Sequence, residues 1–436
     1  MRTARWIFGF VAVAVAALML GFAAYRAFFR AGPADTVSLE PDGPAGAAES
    51  FLYGRITAVD GAVFEGRLRW GGNQEAFWGD YFNGAKKDNP WAVYVPPGRL
   101  PRTRRPFGLF GIELFAREEP PNLKRLFMSR FGDLARIESD GRLVRVTLKS
   151  GAAAGLDRLE ASDFDDGVRV WDPVRGVVDL DSLRIRLIEF LPAPASAAVP
   201  DRLHGTVRTP QGEFRGFLQW NRQECLGSDE IFGRGEGGEV RLTLGAIRAI
   251  APQPGGAALV TLRDGRTLTL SGSRHTGPEH RGVYVDDARF GRVLVSWQAL
   301  TSVEFSPGGR GPSYLDFPPG GPLQGEVLAR DGRRLAGRLV YALGESEVSR
   351  RWGAPAGGVD YTIPFRIIAS ITLPEAGGDR RALLSLHNGQ RLELELAGDL
   401  GEGNAGLLVF GEKGQPAQYV EWQEVKQVVL RRPADR

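Results

Sequence analysis

The sequence predicts a mainly β protein: one N-terminal transmembrane helix, followed by three tandem repeats of short antiparallel strands. Three observations carry that expectation. Apolar and polar residues alternate with a period of two over short runs, as half-buried strands do. Glycines recur at matched spacings in three separate stretches. One uninterrupted apolar run, Trp6 to Tyr25, stands apart at the terminus.

A chain of 436 residues is too long for one core and should divide into several domains. Apolar content of 43% and charged content of 25% are ordinary for a folded globular protein. The 55 basic residues nearly balance 52 acidic ones, and only six of them are lysines. Nucleic-acid binders segregate their charge into a basic face, and no such block is present, which disfavours that class. Cys225 is the single cysteine, so an intrachain disulfide and a thiolate metal cluster are both excluded.

In chain order, residues 1–5 carry Arg2 and Arg5 and are placed in the cytoplasm. Residues 6–25 are apolar throughout, and about 20 such residues span a bilayer, longer than the hydrophobic core of a usual signal peptide. An uncleaved single-pass anchor is therefore expected, with the bulk extracytoplasmic, in the periplasm or on the cell surface; a cleaved signal is the alternative. Residues 26–50, rich in Ala, Pro, Gly and acidic residues, read as a flexible linker.

Repeats are expected over 51–192, 193–318 and 319–433. Gly54 to Gly61, Gly205 to Gly212 and Gly325 to Gly332 are each seven apart. Val146-Thr147-Leu148-Lys149-Ser150-Gly151, Val260-Thr261-Leu262-Arg263-Asp264-Gly265 and Leu384-Ser385-Leu386-His387-Asn388-Gly389 share a further pattern. Asp-Gly and Asn-Gly between alternating runs signal hairpins, because tight primed turns need positive φ. A handful of short strands per half-repeat suits a small closed barrel, two to a repeat.

Arg330-Asp331-Gly332 followed by Leu335-Ala336-Gly337-Arg338-Leu339 resembles the first motif of Sm-like proteins, and Leu244 to Ile250 looks like the last strand of SH3-like barrels. The chain as a whole resembles uncharacterised bacterial membrane-anchored proteins built from Sm-like/SH3-like small β-barrel repeats. That likeness implies a fold of paired antiparallel barrels. It does not carry over the RNA site: Trp220-Asn221-Arg222 and Tyr341-Ala342-Leu343 stand where the Sm-like base-binding loop has an Asp, and no closing Arg-Gly pair follows.

Two places invite a functional reading. Between Phe82-Asn83-Gly84 and Phe131-Gly132-Asp133 the first repeat carries an insertion of roughly 40 residues (86–130), far above the usual connection length. Its Arg99, Arg102, Arg104 and Arg105 precede Phe107, Phe110 and Phe115, a basic cluster beside an aromatic run of the kind that grips anionic lipid or an acidic partner. Packing of those aromatics onto the first barrel is the plainer reading. Trp78, Asp80, Tyr81 and Phe82 occur only in the first repeat and read as an exposed aromatic surface. His275, Glu279 and His280 form the one close His pair, a weak zinc candidate without a third distant ligand.

No cofactor motif is found. The expected function is a non-enzymatic, membrane-anchored envelope protein that binds an envelope protein, a glycan or anionic lipid. An envelope hydrolase with its site in the second repeat is the alternative, and a nucleic-acid binder is disfavoured.

Overall fold

The computed structural model describes residues 47–433 except 72–73, 97, 100–102, 110–111, 120–125, 159–160, 196–198, 376–379 and 413. The apolar segment 6–25 and most of the linker lie outside the described residues. The linker's last part, expected to be flexible up to residue 50, is folded: Ala47–Ser50 makes a helical turn, and Ala48 packs with Phe51, Val199, Cys225 and Leu226. Among the described residues no helix is long and apolar enough to cross a membrane.

Among the described residues strands take 52% and helical turns 8%, so the fold is mainly β. The first repeat contributes β1 (Tyr53–Ala58), β2 (Val63–Trp70), β3 (Tyr81–Ala85), β4 (Thr103–Leu109), β5 (Ile112–Glu119), β6 (Leu126–Arg130), β7 (Leu134–Ser139), β8 (Leu143–Leu148), β9 (Ala153–Asp157), β10 (Val168–Asp172), β11 (Gly176–Leu180) and β12 (Ile185–Phe190). The second contributes β13 (His204–Thr209), β14 (Gly212–Gln219), β15 (Glu230–Gly235), β16 (Gly238–Thr243), β17 (Ile247–Gln253), β18 (Ala257–Leu262), β19 (Thr267–Ser271), β20 (Val283–Asp287), β21 (Gly291–Val295) and β22 (Ser302–Phe305). The third contributes β23 (Gln324–Ala329), β24 (Arg334–Tyr341), β25 (Arg351–Ala356), β26 (Val359–Pro364), β27 (Ile368–Thr372), β28 (Arg381–Leu386), β29 (Arg391–Glu395), β30 (Leu407–Phe410), β31 (Gln418–Val420) and β32 (Val425–Leu430).

The three repeats share one strand order. The large sheets read β11-β10-β2-β1-β12-β7-β8-β9 in the first, β21-β20-β14-β13-β22-β17-β18-β19 in the second and β31-β30-β24-β23-β32-β27-β28-β29 in the third. In each, the chain lays down two strands, leaves for a hairpin and a three-stranded meander, then returns for the last three. The hairpins β3–β6, β15–β16 and β25–β26 differ in where they dock. The second repeat's hairpin pairs with its own β19, whereas the third repeat's β26 adds to the second repeat's edge strand β21. The first repeat's hairpin is closed by β6, so the inserted segment ends before Leu126 rather than at residue 130.

Two of the repeated glycines in each unit are there because strands approach too closely for a side chain. A Cβ at Gly54, Gly205 or Gly325 would collide with the carbonyl oxygen of Glu189, Glu304 or Val429. One at Gly66, Gly216 or Gly337 would collide with that of Trp171, Asp286 or Phe410. The aromatic residue at or just after the end of each second strand is buried and pins the loop before the returning strands: Trp70 donates to Asp163 O, Trp220 Nε1 to His275 O at 3.1 Å, and Tyr341 Oη to Asp399 O at 3.0 Å.

The second and third repeats share one apolar core, joined across the β21–β26 pairing. The first repeat has its own, built around Trp70, Phe82, Phe131 and Ile188 and capped by Tyr314 and Phe317 from the segment linking the other two repeats. Lys149 Nζ donates to the Phe317 carbonyl at 2.9 Å, which helps hold that cap.

Candidate functional site

The insertion starts as a strap from the first repeat across the third. The Trp91 ring lies 5.8 Å from Phe410 and the Tyr94 ring 5.1 Å from it. Arg99, expected to meet anionic lipid or an acidic partner, pairs within the chain with Glu421 at 2.7 Å and Glu424 at 2.8 Å and lies over the Tyr419 ring. Lys86 Nζ donates to Gly344 O at 2.6 Å and Asn89 Nδ2 to Leu343 O at 2.9 Å. These two bonds hold an unusual turn. Ala342 and Leu343 sit at φ 47° and 51°, the left-handed region, where each non-glycine residue costs about 1–2 kcal/mol. The equivalent first-repeat turn uses Gly71 and the second uses Asn221 and Arg222.

Beyond the strap, side-chain positions of residues 101–125 lie outside the described residues, as do Arg102 and Phe110 altogether. Arg104, Arg105, Phe107 and Phe115 fall on the β4–β5 ribbon, which pairs with no other described strand; its register sets Phe107 opposite Phe115 and Arg105 opposite Arg117.

Where strap, first repeat and third repeat meet there is a cleft of about 570 Å³. Its apolar side is made by Phe127, Leu148, residues 152–155 and Leu343, and its polar side by Lys86, Arg338, Glu345, Glu347 and Arg350. Burial would pull the Glu345 carboxyl up, but Arg350, 2.6 Å away, and Lys86 outweigh it and hold the carboxyl below its ordinary value. Glu347 shifts the other way: burial raises it, and only neutral hydroxyls, chiefly Ser150 at 2.9 Å, bond its oxygens. Arg350 is 4% exposed and leaves Nη1 without a hydrogen-bond partner. Arg338 lies over the Trp91 and Phe410 rings at 5.1 and 5.7 Å.

The repeat makes Arg350 notable. At the matching positions the first and second repeats hold Asp80 and Asp229, each accepting two backbone N–H groups from its own loop. Lining up Gln74–Asp80, Glu224–Asp229 and Glu345–Arg350 in the sequence would have exposed this change of charge. Arg338, Trp91 and the alanines of β9 carry no comparable signal.

The aromatic surface expected at Trp78 to Phe82 is not a surface. Asp80, Tyr81 and Phe82 are buried and Trp78 half-buried, its ring 6.1 Å from Phe317. Phe82 belongs to the first repeat's own core, and Asp80 and Tyr81 lie in a polar seam between the first and second repeats. Asp80 accepts from Gln219 Nε2 at 2.5 Å and Arg292 Nη2 at 3.2 Å, and Arg292 Nε also donates to Asp286. Burial opposes the Arg292 charge, but Asp286 and Asp80 outweigh it and raise its pKa.

The His pair is likewise internal. His275 and His280 are buried while Glu279 is exposed, so the three do not converge. The His280 ring lies 4.5 Å from Trp220 and 4.8 Å from Trp297, and its Nδ1 accepts the Gly282 N–H at 3.0 Å. His275 lies 4.4 Å from Phe232, and its Nδ1 is 3.9 Å from a carboxylate the sequence did not suggest, Glu224. Burial, then Arg274 and Arg281, lowers His275 to about 4; burial, then His275 and Arg281, lowers His280 to about 3; burial, reinforced by Asp229, raises Glu224 to about 7. Among the described residues no group of three or more His, Cys, Asp or Glu is placed to hold a metal ion.

The chain matches no protein-family model, no curated protein and no solved structure.

Proposed function

We propose that the protein is a non-enzymatic scaffold of the cell envelope, anchored by residues 6–25 and binding its partner through the cleft between the first and third repeats. In this reading each repeat is two small SH3-like/Sm-like units. One is the outer pair of strands with the three returning strands; the other, made of the hairpin and the meander, is nested within it. The resemblance to bacterial membrane-anchored repeat proteins supports an extracytoplasmic position for the folded part.

The observation that carries the binding role is how the charges are used. In the seam between the first two repeats, Asp80, Asp286, Arg292 and Gln219 satisfy one another and are buried. The cleft instead keeps an open volume, an arginine over an aromatic platform and carboxylates already engaged by their neighbours. Few convergent polar groups on an apolar wall describe a ligand site.

The test is capture from detergent-solubilised envelopes by the full-length protein, comparing the parent with Trp91→Ala and Arg338→Glu. A partner recovered by the parent and lost with both variants supports the reading. Identical recovery by all three proteins refutes it.

A further inference from the structure

We propose that the cleft accepts an extended, acidic polypeptide segment that adds as a strand beside β9. This rests on the scaffold reading and names its ligand class. β9 is the last strand of its sheet. Leu148 N–H donates to Ala152 O across the turn, so Ala152, Ala154 and Leu156 direct their amides towards β8, and Ala153 and Gly155 direct theirs away. The first repeat's own hairpin reaches only the far end of that edge: Lys87 N–H donates to Gly155 O at 2.9 Å, and Lys86 is bridged to Leu156. Ala153 remains exposed and faces the cleft. Residues 152–154 read Ala-Ala-Ala and carry nothing beyond Cβ, which leaves room beside them for a second backbone at strand spacing.

Charge selects the peptide. Glu345 is held by Arg350 and Lys86, and Glu347 by Ser150. Arg338 has no carboxylate partner among the described residues and is exposed on the rim. Among the described residues Asp88 is the one exposed acid lining the cleft. An acidic side chain or terminal carboxylate of the guest therefore sits by Arg338, while alternate apolar side chains meet Trp91, Phe127 and Leu148. Arg350, replacing the capping aspartate of the other two repeats, removes a negative charge from this wall.

The experiment uses the full-length protein in detergent and fluorescent, end-blocked peptides of alternating Thr and Val. One ends in Asp-Asp, a second in Lys-Lys, and a third is the acidic peptide N-methylated at alternate amides. Saturable binding of the acidic peptide is expected, weaker by about tenfold or more for the other two. Arg338→Glu should reverse the preference between acidic and basic ends. Ala153→Pro, which an edge strand tolerates but which lacks the outward N–H, should abolish binding. Equal binding of the methylated peptide, or undiminished binding by Ala153→Pro, overturns strand addition. If no peptide binds while the capture experiment still recovers a cleft-dependent partner, this inference falls and the scaffold reading stands. If both fail, both fall.

Discussion

Replacing Glu224 by Gln should make the protein more sensitive to acid, because Glu224 opposes two buried histidines. His275 and His280 have folded-state pKa values of about 4 and about 3, below the ordinary 6.5. A depressed value means that the contribution to stability is present above pH 6.5 and is lost as the pH falls towards those values. Glu224 has the opposite sign. Its folded-state value of about 7 exceeds the ordinary 4.5, so its contribution is present below pH 4.5 and lost as the pH rises through 7. From pH 8 to pH 5 each histidine forfeits about 2 kcal/mol and Glu224 returns about 2.5 kcal/mol, for a net loss of roughly 1.5 kcal/mol. In Glu224→Gln the return vanishes, and the loss over the same interval becomes about 4 kcal/mol. The groups facing this cluster, Arg274, Arg281 and Asp229, are unchanged by the substitution. Guanidinium unfolding followed by tryptophan fluorescence at pH 8, 6.5 and 5 measures the difference, since Trp220 and Trp297 flank His280. Parallel pH profiles for parent and variant would refute the reasoning.

Three further predictions concern the frame. Arg292→Ala leaves Asp80 and Asp286 buried without their cation and should cost about 3–5 kcal/mol in the same unfolding assay; an unchanged midpoint would remove the seam from the account. Gly216→Ala drives a Cβ into the Asp286 carbonyl and should cost about 1–3 kcal/mol or more, against about 1 kcal/mol for Gly61→Ala in an open turn; a larger cost at the turn would contradict the close-approach argument. Deleting residues 1–30 should move the protein from the membrane to the soluble fraction, and retention after a high-salt wash would show a second attachment.

How much of this was legible depends on the range of the interaction. The Asp264-Gly265 and Asn388-Gly389 turns and the alternating runs are local, and the strands stand where the pattern puts them. The spacing of Gly54, Gly205 and Gly325 was visible too, although its cause, a carbonyl of the closing strand, lies about a hundred residues away or more. What could not be read is which repeat an element serves. Tyr81 looks like a surface aromatic because only the first repeat has it, yet a repeat-specific residue suits a seam between unlike neighbours equally well. Composition does not separate the two. Trp91 meets Phe410, and β26 meets β21, through contacts with no local signature. The repeat nevertheless supplies a filter, because whatever the three units share is already explained by the frame. The departures then become informative: the strap of the first repeat and Arg350 in place of an aspartate. These are separated in the sequence and have no common local cause. Both border one cleft, and a frame needing only to fold would have had no reason to collect them there.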